Sequence, residues 1–335
     1  MTNSPPPRSL LMVAERSLLG AAIAEEWLAQ GNRIAAIWTS DHRRLRPNLL
    51  ERIGAAVTGL PTLSSIARRH GIPIRQIGRL SRMPDLEREV RATGADVLMT
   101  VMTHSIVPEA MLALFDGRAI NCHPALLPHF KGPQPLQSML HDGCGEVHGG
   151  LTLHVLSPGI DEGAIVAQQP LPLRVGEIPE WNALSVLAVR RMMRGETAAY
   201  LRGDRQAVPQ QPGSGHYRRV AAGEFSITAD KSLALCQHLS RTIPPGTLLW
   251  LPAPADAARR GSYRIAEALR RIGPATGRTP RIGWLTIEAD VTDARIAMRR
   301  RHKIAEIVAR IGESLRMRRV LARAARAAGD GPASG

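Results

Sequence analysis

The chain has 335 residues, enough for two domains of ordinary size, and 44% of them are hydrophobic, which excludes wholesale disorder. No apolar run approaches the roughly 20 residues needed to cross a bilayer, so no membrane partner is expected; three cysteines without a C-x-x-C pair exclude a disulfide framework and point to a reducing, cytoplasmic setting. The net charge of +15 is concentrated, because residues 295–327 hold eleven Arg or Lys against two Glu and the remaining body is only mildly basic.

In chain order, the apolar run Ser9–Ala14 predicts a buried strand, and Leu18 to Ala29 has helical spacing that stops at Gly31. Arg33–Thr39 reads as the next buried strand. A loop rich in Arg, Gly and Pro follows over 41–61, then a helix over Leu63–His70 and a short strand at Ile72–Ile74. Helix Asp85–Thr93, strand Asp96–Val101, helix Pro108–Leu114 and strand Ala119–Cys122 continue the alternation. Apolar strands alternating with helices predict an α/β fold with a doubly wound, mostly parallel, Rossmann-like sheet. Leu151–Leu156 and Ala164–Leu173 lie close enough to pair directly, and residues 180–202 read as helical.

Beyond that point the composition changes. Gln206–Gly215 (QAVPQQPGSG) has the make-up of a linker. Tyr217–Asp290 alternates apolar runs with turns, with strand candidates at Thr247–Leu251 and Trp284–Ile287, and predicts a smaller C-terminal domain. Ala294–Ala328 reads as a basic amphipathic helix with Ile296, Ile304, Ile307, Ile311 and Leu315 as its packing stripe. The expected division is a catalytic domain over 1–205, a linker over 206–216, a small domain over 217–293, and a basic helix with a frayed tail over 294–335.

Chemistry concentrates between Ile120 and Gly163. Asn121 and His123 stand two apart at the end of a predicted strand, so both side chains leave the same face while Cys122 leaves the other, as a small buried hydrophobe. In an open α/β sheet the carboxyl ends of the strands are where ligands bind. An amide and an imidazole converging there can stabilise an oxyanion and move a proton. Asp161 lies in a loop able to return to the same edge, and a carboxylate beside His123 favours the imidazolium. His154 is expected on a strand supporting that loop. Histidines 104, 129, 141 and 148 crowd the same region, but no H-x-x-x-H or C-x-x-C spacing occurs, so no metal is expected.

The stretch N-C-H-P-A-L-L-P-H-F-K-G-P from Asn121, followed by T-L-H-V-L-S-P-G-I-D-E-G up to Gly163, resembles the folate-dependent formyltransferase family, which includes methionyl-tRNA, glycinamide ribonucleotide and sugar N-formyltransferases. Both halves of that family's pattern are present, in order and at fitting separation, and the resemblance covers roughly residues 9–175. It implies that Asn121, His123 and Asp161 are catalytic and that the formyl donor is 10-formyltetrahydrofolate. It implies a folate pocket built from Met102, Thr103, His104, Ser105, Ile106 and Val107 on one side. Leu156, Gly159, Ile160 and Glu162 would close the other side. The family often has Gly where His104 stands here.

The turn Ala14-Glu15-Arg16-Ser17 lacks the glycines of a backbone phosphate cradle, which argues against glycinamide ribonucleotide as acceptor. The expected activity is N-formyl transfer to a small-molecule amine, an amino sugar or a biosynthetic amino acid. The alternatives are a 10-formyltetrahydrofolate hydrolase, a methionyl-tRNA formyltransferase, or a folate- or RNA-binding relative without turnover. The basic C-terminal segment is the candidate surface for RNA or for a homodimer.

Overall fold

The computed structural model describes residues 7–40, 45–103, 105–244, 247–251 and 263–328; His104, Arg43, Arg44 and the tail at Gly329–Gly335 lie outside the described residues. The first sheet has seven strands: β1 (Ser9–Ala14), β2 (Arg33–Thr39), β3 (Ile74–Gln76), β4 (Val97–Val101), β5 (Ala119–His123), β6 (Gly150–Val155) and β7 (Ile165–Pro170). They lie in the order β3-β2-β1-β4-β5-β6-β7. The first five run parallel, and β6 and β7 extend the sheet as an antiparallel pair.

Both faces of this sheet are covered, which is why its strands read as unbroken apolar runs rather than alternating ones. Leu10, Met12, Ile37, Met99 and Ile120 pack with the helices Leu18–Ala29 and Ile178–Met192 on one face. Leu11, Val13, Trp38, Leu98 and Phe115 fill the other. Full burial of each such side chain contributes about 1.5–3 kcal/mol before entropy is counted. The expected doubly wound, mostly parallel sheet is the observed one.

Two sequence expectations fail here. The 41–61 stretch, expected as a loop, contains a helix over Leu49–Thr58. The Asn48 side chain accepts from the Glu51 amide (3.0 Å) while the Glu51 carboxylate accepts from the Asn48 amide (2.9 Å), and Gly59 closes the helix with φ 74°. That capping box is legible as Asn48-x-x-Glu51 and stabilises the helix start by about 1 kcal/mol.

The second error concerns Ala294–Ala328. Arg295–Arg300 is strand β13, held between β12 (Thr286–Asp290) and β10 (Tyr263–Gly273) in a six-stranded sheet completed by β8 (Ser226–Ile227), β9 (Leu249–Trp250) and β11 (Arg281–Ile282). Ile296 and Met298 are buried in that sheet's core, where two strand partners override the local helical pattern. The helix begins only at Lys303 and runs to Ala327.

It docks on the first sheet's layer, but not through the expected stripe. Ile304 is 65% exposed, and Ile311 and Leu315 are exposed as well. The contact is made by Ser314 and Met317, which are buried, by Arg310 lying against Gly54, and by Arg316, which grips the Glu180 carboxylate with two bonds of 2.6 Å. No helix among the described residues is long and apolar enough to cross a membrane.

Candidate active site

The parallel strands deliver their carboxyl ends to one edge, and the strand order reverses between β1 and β4, the arrangement that opens a ligand crevice. β5 ends at that edge with Asn121 and His123. Register sets their neighbours: Asn121 stands opposite Thr100 of β4 and His154 of β6, and His123 stands opposite Thr152. The loop after β6 then brings Asp161 back over the same edge, in a left-handed conformation with φ 54°.

Asp161 is the hub. Its Oδ2 accepts from the Gly132 amide (2.8 Å) and lies 3.5 Å from His123 Nδ1. Its Oδ1 lies 3.4 Å from both Asn121 Nδ2 and His154 Nε2. Burial raises the Asp161 pKa, but the hydrogen bond to His154, the nearby His123 and the Gly132 amide together hold it at about 2, so the group is ionised throughout the working range.

The partners of Asn121 fix which way its amide points. Thr100 Oγ1 donates to Asn121 Oδ1 (2.7 Å), leaving Nδ2 as the donor toward His154 (3.1 Å) and Asp161. His154 Nδ1 lies 2.9 Å from the Val155 carbonyl, and its Nε2 stands between Asn121 Nδ2 and Asp161 Oδ1. His123 Nε2 meets the Phe130 carbonyl at 2.9 Å and carries a proton there, which leaves Nδ1 turned toward Asp161. Burial pushes the His123 pKa below its ordinary value, and the Asp161 charge recovers only part of the loss. The neutral imidazole is therefore the resting form, whereas sequence reasoning favoured the imidazolium; desolvation outweighs the single carboxylate.

The structure thus brings Asn121, His123 and Asp161 together and adds His154 and Thr100 as direct partners of Asn121. The sequence signal for His154 was the T-L-H of the family pattern, and the antiparallel pairing of β5 with β6 sets residues 121 and 154 side by side. Gly163 owes its identity to close approach, since a Cβ there would overlap the Val155 carbonyl oxygen. Cys122 faces the core, and burial raises its thiol to about 12.

Of the expected pocket residues, Met102 (φ 52°, 45% exposed) and Ile106 (68% exposed) present apolar side chains after β4. Thr103 accepts from the Ser105 amide at 3.1 Å, and His104 lies outside the described residues. Val107 is buried in the core against which Leu156 packs. Ile160 is 44% exposed beside Asp161, Gly159 accepts from the Ser157 hydroxyl, and Glu162 pairs at 3.8 Å with the buried Lys131. Arg46 and Arg52 line a cleft of about 850 Å³ together with Arg68, and none of the trio lines it. Among the described residues no group of three or more His, Cys, Asp or Glu could hold a metal; His129 instead makes ring contacts with His148 and His216.

Residues 66–180, the segment that contains this whole cluster, match the family model described as formyl transferase. Over this segment the chain is similar to the formyl transferase family. The methionyl-tRNA formyltransferase of Synechococcus sp. (strain JA-3-3Ab) is 34% identical over 163 residues, 47% of this chain and 48% of that enzyme. The corresponding enzyme of Thermosynechococcus vestitus is 30% identical over 226 residues, 65% of this chain and 63% of that enzyme. The formyltransferase likeness thus spans about half the length of the first of these relatives and under two thirds of the second.

Among solved structures, the sugar 3N-formyl transferase WlaRD is 12% identical, with 89% of this chain and all of that chain covered at a TM-score of 0.52. The N-formyltransferase of Helicobacter canadensis is 13% identical, covers 88% of this chain and 99% of that chain, and gives 0.51. At such identities the likeness is one of fold, and it extends across the second sheet.

Proposed function

We propose that the chain transfers a formyl group from 10-formyltetrahydrofolate to the amine of a small-molecule acceptor, with Asn121, His123 and Asp161 as the catalytic residues. The observation that carries this reading is the ionised Asp161, within 3.5 Å of both Asn121 Nδ2 and His123 Nδ1 at the carboxyl edge of the sheet. The donor suits the residues around it. Met102, Ile106 and Ile160 offer apolar side chains at that edge to a flat heteroaromatic ring, and the 157–163 loop offers backbone groups to its amide-like side. The WlaRD structure holds dTDP and 5-N-formyl-THF, and the Helicobacter canadensis structure holds folinic acid with dTDP-3-aminofucose, which supports a formyl-folate donor for this fold.

The bound donor supplies an activated formyl carbon, and the chain supplies orientation, charge and a proton path. Asn121, its oxygen held by Thr100, releases its long 3.4 Å contact with Asp161 and donates to the formyl oxygen as negative charge develops there. His123 rests neutral with Nδ1 free, so it takes the proton of the attacking amine, directly or through one water. The imidazolium so formed stands 3.5 Å from the Asp161 carboxylate, which stabilises it. The proton then passes to the folate nitrogen as its bond to the formyl carbon breaks. Acceptor nitrogen and formyl carbon gain the bond that the donor loses.

A second reading is favoured by a separate observation: the relatives at up to 34% identity are methionyl-tRNA formyltransferases, and the basic residues of 295–327 suit an RNA acceptor. Incubating the purified chain with 10-formyltetrahydrofolate and, in parallel, amino sugars, amino acids and methionyl-tRNA separates the cases by product mass. Formate release without any acceptor would indicate hydrolysis instead.

A further inference from the structure

The 206–216 segment has a linker's composition, yet it lies against the trio. Val208 exchanges both backbone hydrogen bonds with Ile165 of β7 (2.7 and 2.8 Å). Further on, the Lys131 amide donates to the His216 carbonyl (3.1 Å), Lys131 Nζ donates to the Ser214 carbonyl (3.2 Å), and the Arg218 amide donates back to Lys131 (2.9 Å). The Tyr217 ring covers Gly132, leaving no room for a Cβ. The segment is therefore stitched to the two loops that build the site. One of them supplies the Phe130 carbonyl to His123 and the Gly132 amide to Asp161; the other carries Asp161 itself.

Gln210 stands between these stitches. Its Nε2 donates to the carbonyls of Asp161 (2.9 Å) and Gly163 (2.8 Å), so both of its N–H groups are spent on one turn. That turn needs an outside hold. Asp161 is a non-glycine residue in the left-handed region, and Gly163 is pressed against the Val155 carbonyl. The other end of the amide is left over: Gln210 Oε1 is buried with no hydrogen-bond partner among the described residues. A buried acceptor without a donor lowers stability and offsets what the two donated bonds contribute. The amide thus does little for global stability, while its two bonds hold the backbone of Asp161 and Gly163, and the Asp161 carboxylate meets Asn121, His123, His154 and the Gly132 amide.

We propose that Gln210 is a positioning residue, whose amide fixes the Asp161–Gly163 turn and thereby aims the Asp161 carboxylate at His123, Asn121 and the Gly132 amide. It touches no reacting atom. The inference rests on the role given to Asp161 in formyl transfer, and two independent readouts keep the two claims apart.

The full-length chain is compared with Gln210→Met, which keeps the length of the side chain and removes both the donors and the orphan oxygen, and with Gln210→Glu, which turns a carboxylate toward two carbonyl oxygens. Formyl transfer gives kcat and the KM for the donor, and amide hydrogen exchange followed by mass spectrometry gives the protection of residues 157–163 without any substrate. The expected result for Gln210→Met is a kcat lower by roughly tenfold or more, with KM within about threefold, since misplacing a reacting group costs rate rather than ground-state binding. Exchange over 157–163 quickens while the melting temperature stays within about 3 °C of the parent. Gln210→Glu moves both readouts further in the same direction, and it decides the matter should Gln210→Met fail to fold. An unchanged kcat in a folded variant of an active parent overturns the positioning role and leaves the proposed function standing. If the parent transfers no formyl group, the proposed function fails. Exchange then decides alone: unchanged protection over 157–163 overturns the hold that Gln210 exerts, and faster exchange sustains it.

Discussion

Replacing Asp161 with Asn keeps the shape of the side chain and removes its charge. The carboxylate is held at about 2 against an ordinary 3.8, which converts to about 2 kcal/mol of preference for the ionised form in the folded chain at neutral pH. The side chain is only 13% exposed, so solvent screening takes little from that figure. The sign follows from the lowered pKa: the stabilisation is fully present above the ordinary carboxylate value and is lost as pH falls toward about 2. Asp161→Asn should therefore unfold at lower denaturant concentration than the parent at pH 7, by about 2 kcal/mol, with the gap closing as pH drops through 4 toward 2. Activity should fall more steeply, by roughly 10²- to 10⁴-fold in kcat, because the imidazolium formed during proton transfer loses its counter-charge. Urea titrations at several pH values and initial rates of tetrahydrofolate formation measure the two effects. A variant with the parent's rate within a factor of about two, or a stability gap that does not close in acid, would refute the hub role given to this carboxylate.

Other perturbations test the surrounding geometry. His123→Ala should reduce transfer by about 10²-fold or more while the chain still folds, and in the parent the acid limb of kcat/KM should have its midpoint below the ordinary histidine value, since burial lowers the His123 pKa and protonation removes the base. A limb centred clearly above that value would favour a resting imidazolium. Thr100→Val leaves Asn121 Oδ1 without its 2.7 Å donor in a half-buried setting and should cost about 1 kcal/mol in chemical unfolding, with kcat falling as the amide loses its orientation. Gly163→Ala drives a methyl group into the Val155 carbonyl and should destabilise by about 1–3 kcal/mol; wild-type stability would show that the turn is looser than described.

The first sheet was legible because burial on both faces leaves its strands with apolar runs, and Ser9–Ala14 and Arg33–Thr39 were read to the residue. The convergence of Asn121 and His123 followed from period two, and Asp161 entered with the family pattern. Local patterns failed where tertiary partners decide. Arg295–Arg300 is compatible with a helix until β10 and β12 flank it, and the Lys303–Ala327 helix docks through Ser314 and Met317 because Gly54 and Glu180 receive it, not because its apolar stripe faces inward. The Leu49–Thr58 helix is a different case, since its capping box stood in the sequence and the Arg, Gly and Pro around it obscured the signal. Gln210 was invisible for a physical reason: a hydrogen bond to a backbone 49 residues away leaves no trace in composition or spacing.

The most direct measurement is the turnover of 10-formyltetrahydrofolate by the purified chain and by His123→Ala, with tetrahydrofolate followed spectroscopically and products read by mass across the acceptor panel. The account predicts acceptor-dependent turnover by the parent, an acceptor heavier by one carbonyl group, and loss of both in the variant. Equal turnover by parent and variant, or none by the parent with any acceptor, would contradict it.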